Sequence, residues 1–163
     1  MTNVRLSTTM GDIVLSLDEA KAPKSVANFL TYLDEGHYAE TVFHRVISGF
    51  MIQCGGVDTS MRIKPAPRRV ENEARNGLKN VKYSVAMART SDPQSASAQF
   101  FINTVDNGFL DYPGQDGWGY AVFGQVVEGH DVVDRIAQVP TGAQDVPREQ
   151  IVIKSAEVVA ASA

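Results

Sequence analysis

Arg45 is the residue whose type and setting first suggest chemistry. It lies in Val42-Phe43-His44-Arg45-Val46-Ile47, which alternates as a β-strand does, with Phe43 and Ile47 two positions to either side. On strand spacing these three side chains share a face, so a permanently charged guanidinium is flanked by large apolar groups. Ser48-Gly49 offers a turn, and after Phe50 the alternation puts Met51 and Gln53 on one face. A second stretch, Ala98-Gln99-Phe100-Phe101-Ile102-Asn103, places Gln99, Phe101 and Asn103 on one side and Phe100 and Ile102 on the other, toward a core. Together these residues offer a cationic hydrogen-bond donor and the amides of Gln53, Gln99 and Asn103 beside apolar surface. Taken singly, Arg45 reads more readily as a surface arginine whose stem covers apolar neighbours.

Other chemistries find little support. The histidines, His37, His44 and His130, are scattered, and none stands at metal-ligand spacing from a cysteine or carboxylate. Glycine-rich phosphate loops and a nucleophile elbow are missing. Cys54 falls on the strand face opposite Met51 and Gln53 and reads as a small buried residue. No metal or organic cofactor is expected. A net charge of −4 argues against nucleic-acid binding. The single cysteine rules out an intrachain disulfide and suits a reducing, cytoplasmic setting. The first residues lack a secretory-signal pattern, and no apolar run approaches a membrane span.

The elements that must position Arg45 can be read in order. Val4, Leu6 and Thr8, then Ile13, Leu15 and Leu17, alternate about Met10-Gly11-Asp12 as a β-hairpin. Pro23 sits at a helix first turn, Val26, Phe29, Leu30 and Leu33 form an apolar stripe, and Gly36 is a stop. Gly55-Gly56 permits unusual backbone shapes, and residues 57–80 are loop-rich. Their basic residues, Arg62, Lys64, Arg68 and Arg69, read as a solvated loop. Tyr83 to Met87 alternates as a strand, as does Tyr120 to Val126. Between them, Gly108 to Gly119 is a loop in which Trp118 reads as an anchor. Asp131 is a candidate cap for a short second helix burying Val132, Val133 and Ile136, and Ile151 to Val159 is a last strand. Ala160 to Ala163 are expected to fray. Many strands and two distant helices, without βαβ alternation, predict a mainly antiparallel β protein, and 163 residues suit one domain over 1–163. A monomer is expected, since no surplus amphipathic helix is present.

The runs FHRVISGFMIQ, MARTSDPQSASAQFFIN and FGQVVEG, in this order, resemble the cyclophilin family of peptidyl-prolyl cis-trans isomerases, and the similarity extends from about Val4 to Val159. The insert DYPGQDGWGYAVFG looks most like the cytoplasmic bacterial branch. The resemblance implies a closed eight-stranded antiparallel β-barrel capped by two α-helices, a closure the pattern of residues does not itself supply. It implies an enzyme that rotates X–Pro peptide bonds in unfolded or flexible segments, assisting folding. Arg45 and Gln53 are then the catalytic pair, with Gln53 holding Arg45 or the substrate backbone. Phe50, Met51, Phe101 and Leu110 line a proline pocket, while Gln99, Phe109 and the backbone of Ala88 and Arg89 border the groove. Tyr120 stands where many members carry a histidine, and Phe109 where cyclosporin-sensitive members carry a tryptophan, so weak cyclosporin binding is expected. The alternative is a proline-peptide binding module or chaperone with the same groove and no turnover. A barrel enclosing a small apolar ligand is a weaker third reading.

Overall fold

Residues 1–159 are described by the computed structural model. The expected opening hairpin forms as β1 (Thr2–Thr8) and β2 (Gly11–Leu17), paired antiparallel with Leu6 opposite Ile13 and Val4 opposite Leu15. Val4, Leu6, Ile13, Leu15 and Leu17 are fully buried, which is why this segment stays in register: a one-residue slip would turn all five to the other face. Seven further strands follow: β3 (Thr41–Val42), β4 (Arg45–Ile47), β5 (Met51–Cys54), β6 (Ser84–Met87), β7 (Phe100–Asn103), β8 (Val122–Glu128) and β9 (Val152–Val159). They make one curled antiparallel sheet in the order β3-β9-β1-β2-β8-β6-β7-β5-β4. The two end strands, β3 and β4, are separated in the chain only by Phe43 and His44.

That break corrects the expected alternation around Arg45. Phe43 was expected on the arginine's face, but it is 1% exposed within the inner core, as is Val46 at 2%, while Arg45 points outward. The chain leaves β-geometry at Phe43 and His44, so the two-residue period restarts at Arg45.

Helix α1 (Pro23–Asp34) begins with proline in its first turn, as expected. Its buried stripe is Ser25, Val26, Phe29 and Tyr32, rotated from the expected one, with Leu30 and Leu33 only partly buried. The rotation follows from two polar partners remote in sequence. Glu73 accepts from Ser25 N and Oγ at 2.6 and 2.8 Å, capping the helix from another loop, and Tyr32 Oη donates to the carbonyl of Arg68 at 2.8 Å. Phe29 stacks on Tyr38 at 4.9 Å and meets Phe100 edge-on at 5.4 Å, which fixes α1 on the inner face of the sheet. Phe100 and Ile102 are fully buried in this core, as is Cys54.

Helix α2 (His130–Ile136) buries Val132, Val133 and Ile136. Its cap is Gly129, not Asp131, which lies within the first turn. Gly129 has φ +87°, and a Cβ there would fall 2.3 Å from the carbonyl oxygen of Asp12. The helix thus starts where two backbones approach too closely for a capping side chain.

Arg62, Arg68 and Arg69 are exposed, as expected of a solvated loop, while Lys64 is tied to the chain around it. Lys64 Nζ donates to the carbonyls of His37 and Ala39 at 2.6 and 3.0 Å, closing the chain beyond α1. Arg68 pairs with Glu35 and lies over the Tyr32 ring, and Arg69 pairs with Asp92. Ala160 to Ala163, expected to fray, lie outside the described residues.

Candidate active site

Register builds the site. Directly opposed residues on neighbouring strands share a face of the sheet. Arg45 on β4 is opposite Gln53 on β5, Gln53 is opposite Phe101 on β7, and Phe101 is opposite Ala86 on β6. One row across four strands therefore runs arginine, glutamine, phenylalanine, alanine on the outer wall of the sheet. The adjoining row brings Ile47 opposite Met51, and Met51 opposite Asn103. Met51, Ala86, Ala88, Phe101, Leu110 and Val122 form an apolar cluster separate from the inner core, with Ile47, Phe50, Leu78 and Tyr120 packed at its margin.

An open cavity of about 110 Å³ lies over this cluster, lined by Arg45, Phe50, Met51, Gln53, Ala88, Arg89, Phe101, Leu110 and Tyr120. It is smaller than the roughly 300–1,000 Å³ of pockets that enclose whole small molecules, and suits one side chain. A roomier cleft, about 640 Å³, lies elsewhere between Met10, Pro140 and Gln150. It includes Arg148 and Gln150 but no aromatic ring, and Glu149 lies beside them, so size alone does not locate the site.

Two expected groove residues lie beside the cavity without lining it. Gln99 accepts at Oε1 from Gln53 Nε2 at 2.9 Å. Its side chain crosses Gly56, where a Cβ would stand 2.3 Å from Gln99 Cδ, so glycine is required for this approach. Phe109, 55% exposed, stacks on Phe50 with centroids 5.8 Å apart. Gln53 is thus committed to Gln99, and among the described residues no hydrogen bond joins it to Arg45. The N–H of Ala88 donates to the carbonyl of Gln99 at 3.0 Å.

Arg45 is exposed, and among the described residues its guanidinium has no ion-pair or hydrogen-bond partner. A guanidinium at the edge of an apolar cavity with its donors unused can meet an incoming carbonyl or nitrogen. The neighbouring His44 has its pKa lowered from the usual histidine value, first by burial and then by the charge of Arg45. His44 is therefore neutral at and above neutral pH. Among the described residues the cavity lining contains no carboxylate, histidine or cysteine. Accordingly kcat/KM for an X–Pro peptide should stay nearly constant between about pH 6 and 9. A bell-shaped profile centred in that window would reveal a proton-transfer group that the lining does not contain.

The loops that wall the cavity depend on polar groups not singled out in the sequence. Asn103, at the end of β7, is fully buried and donates to Asn80 Oδ1 at 3.1 Å and Ser84 Oγ at 2.9 Å. It accepts from Asn107 at 2.7 Å, and Asn107 in turn donates to the carbonyl of Phe50 at 3.0 Å. Asn80 receives Asp111 as a further partner. This network fixes a short 3₁₀ turn, Gly108–Leu110, against β5 and β7, and so places Leu110 and Phe109. A buried asparagine on a site-facing register position was the only local signal; its partners come from the segment before β6, from β6 itself and from the loop after β7.

Arg89 contributes more than the backbone expected of it. A backbone contact was expected, yet its side chain lines the cavity and is only 3% exposed. Its guanidinium pairs with Asp116 at 2.6 Å and lies 4.3 Å from the centre of the Tyr120 ring. The carboxyl of Asp116 is held down to about 2, first by the Arg89 hydrogen bond and then by the N–H groups of Trp118 and Gly119. The loop is anchored through Asp116, whereas the Trp118 side chain is 43% exposed and is not a buried anchor.

A family model described as cyclophilin type peptidyl-prolyl cis-trans isomerase/CLD matches residues 3–158. The chain is 56% identical to peptidyl-prolyl cis-trans isomerase cyp18 of Streptomyces antibioticus, covering 97% of this chain and 99% of that one. It is 53% identical to peptidyl-prolyl cis-trans isomerase B of Escherichia coli K12, covering 95% and 98%. Among solved structures it is similar to a Cryptosporidium parvum cyclophilin-type isomerase crystallised in the presence of the dipeptide Ala-Pro, with TM-score 0.80, 27% identity and coverage of 98% and 99%.

Proposed function

This chain belongs to the cyclophilin-type peptidyl-prolyl cis-trans isomerases and has their activity, and on that premise we propose that Arg45 drives the reaction by stabilising a twisted X–Pro amide whose proline ring sits against Met51, Phe101 and Leu110. The X–Pro bond is planar by resonance, with a barrier of about 18–20 kcal/mol. At the top of the barrier resonance is lost and the proline nitrogen regains a lone pair. A donor aimed at that nitrogen favours only the twisted state, which is what lowers a barrier. A guanidinium fork can also hold the substrate carbonyl. Apolar walls hold the ring and keep water from the amide.

The observation that carries this reading is the cross-strand row: an unpaired Arg45 beside Gln53 and Phe101, at the mouth of a cavity sized for one ring. Gln53 then acts by orienting the substrate backbone together with Gln99, and Phe50, Phe109, Ala88, Arg89 and Tyr120 complete the groove. Substrates are proline-containing peptides and flexible protein segments, in keeping with the Ala-Pro dipeptide of the Cryptosporidium parvum structure. Exchange NMR on an Ala-Pro peptide tests the activity: cis–trans exchange faster than the uncatalysed rate is expected, and binding without faster exchange would instead favour a peptide-binding module.

We further read β3 and β4 as two halves of one strand bent at Phe43 and His44, making an eight-stranded barrel closed through that bend; the support is that the two ends of the sheet are consecutive in the chain. The domain is taken to span 1–163 as a monomer in the cytoplasm, a compartment consistent with one buried cysteine, Cys54.

Cyclosporin should bind weakly. Phe109 keeps an aromatic face at the rim but has no N–H to donate. Phe109→Trp should tighten binding by about 1 kcal/mol, near fivefold, in line with one recovered hydrogen bond. Titration of both proteins with the drug checks this; tight binding by the unmutated protein, or no gain in the variant, counts against this role for Phe109.

A further inference from the structure

A buried arginine with every donor edge engaged is an unusual thing to find in a binding pocket. Arg89 Nη1 donates to the carbonyl of Thr90 at 3.0 Å. Nε and Nη2 both donate to the carbonyl of Gly119, at 3.3 and 2.8 Å, and Nη2 also reaches Asp116 Oδ2 at 2.6 Å. Above this planar group lies the Tyr120 ring, and Tyr120 meets Phe101 edge-on at 5.8 Å. Asp116 is tied in turn to its own turn, accepting at Oδ1 from the N–H groups of Trp118 and Gly119. A continuous series of contacts therefore runs from Asp116 through Arg89 and Tyr120 to Phe101. Without the guanidinium, Tyr120 would keep its backbone bonds, from its N–H to the Leu110 carbonyl and from Asn80 to its own carbonyl, and its packing on the apolar cluster with Phe101 edge-on, but would lose the cation stacked on its ring.

We propose that Arg89 is a positioning residue for the isomerase, clamping Tyr120 and the turn at 116–119 as the outer wall of the proline pocket. This rests on the reading of that cavity as the proline site. The planar fork matters, since one group must face three acceptors while lying flat against a ring. Asp116 offsets the charge of Arg89, so the pocket holds only one uncompensated cation, Arg45. A wall of this kind contacts the planar and twisted substrate alike. Its loss should therefore weaken substrate binding and leave turnover of bound substrate nearly intact.

The test measures kcat and KM separately on an Ala-Pro peptide, with a thermal melt, for Arg89→Ala, Arg89→Lys, Asp116→Asn, Tyr120→Ala and the double variant Arg89→Ala/Tyr120→Ala. Arg89→Ala should raise KM by about tenfold, less than the roughly 100-fold that a 1 Å misplacement can produce, with kcat within about twofold. In the Tyr120→Ala background the same change should raise KM by less than about twofold, while its lowering of Tm persists. Arg89→Lys should recover only part of the loss. An unchanged KM in Arg89→Ala, or a full tenfold rise on top of Tyr120→Ala, would overturn the proposal, because Arg89 would then support folding alone or act independently of Tyr120. If Arg89→Ala does not fold, the exposed Asp116→Asn decides: KM about two- to threefold higher supports the clamp, and wild-type KM refutes it. Arg45→Ala is run alongside. Normal turnover there would refute the pocket itself, whereas slow turnover with unchanged KM in Arg89→Ala would refute only the clamp.

Discussion

Arg45→Ala should lower kcat/KM for an X–Pro peptide by about two orders of magnitude, with the fold intact. The estimate follows from one charge-assisted hydrogen bond of about 1.5–3 kcal/mol, which at 1.36 kcal/mol per tenfold is roughly 10- to 150-fold. The thermal midpoint should hardly move, because Arg45 is exposed and its guanidinium spends no hydrogen bond or ion pair on the described residues. Peptide affinity should fall less than the rate, since the lone pair that the guanidinium meets exists mainly in the twisted amide. Arg45→Lys should restore charge without the fork and recover the rate only in part. Arg62→Ala, an exposed arginine outside the cavity lining, is the matching control. Arg89→Ala would have seemed a harmless control from sequence, but its buried side chain at the cavity disqualifies it. Near-normal turnover in folded Arg45→Ala would refute the reading of this cavity as the catalytic proline site.

Phe101→Ala should produce the largest combined loss. Phe101 is 4% exposed, stands in the row between Gln53 and Ala86, and supports Tyr120 edge-on. Truncating a buried phenylalanine typically removes about 3–5 kcal/mol of stability. The lower figure applies here because the ring borders an open cavity. At about 2–4 °C per kcal/mol for a chain of this size, a fall in Tm of roughly 6–12 °C is expected. The proline ring would lose its floor as well, so kcat/KM should fall more than about tenfold through weaker binding of both states. Phe101→Leu separates the two effects. It keeps most of the buried volume, so stability should largely return, while the flat face toward the substrate does not. Melts and peptide titrations on both variants check this. Wild-type peptide affinity in folded Phe101→Ala would place the proline ring elsewhere.

Much of this was legible in the chain itself. Local alternation of side-chain types identified β1, β2, β5 and β7; in the fold β1 keeps that alternation in its burial, whereas β2, β5 and β7 are covered on most of both faces, the inner by the core and the outer by neighbouring loops and side chains. It placed Met51 and Gln53 together, and Phe101 on the face opposite Phe100, from spacing alone. Pro23 marked the start of α1 for a reason internal to its ring. The motif match then named Arg45, Phe50, Met51, Gln53, Phe101, Leu110 and Tyr120, and all seven line one cavity.

What the tertiary structure decided are the features that depend on which distant segments meet. The chain leaves strand geometry at Phe43 and His44, so Phe43 turns inward while Arg45 remains outside, and no period read along the chain reveals that. The buried stripe of α1 was set by Glu73 and Arg68, and the cap of α2 by the proximity of Asp12 to Gly129. The pairing of Gln53 with Gln99 depends on a strand register and on the space above Gly56. Arg89 became a side-chain contributor only because Asp116 and Gly119, about 30 residues onward, fold back over it. Sequence patterns report the face that a residue shows to its own element. A buried charge or amide is placed by whichever partner satisfies it, and that partner is chosen by the fold as a whole.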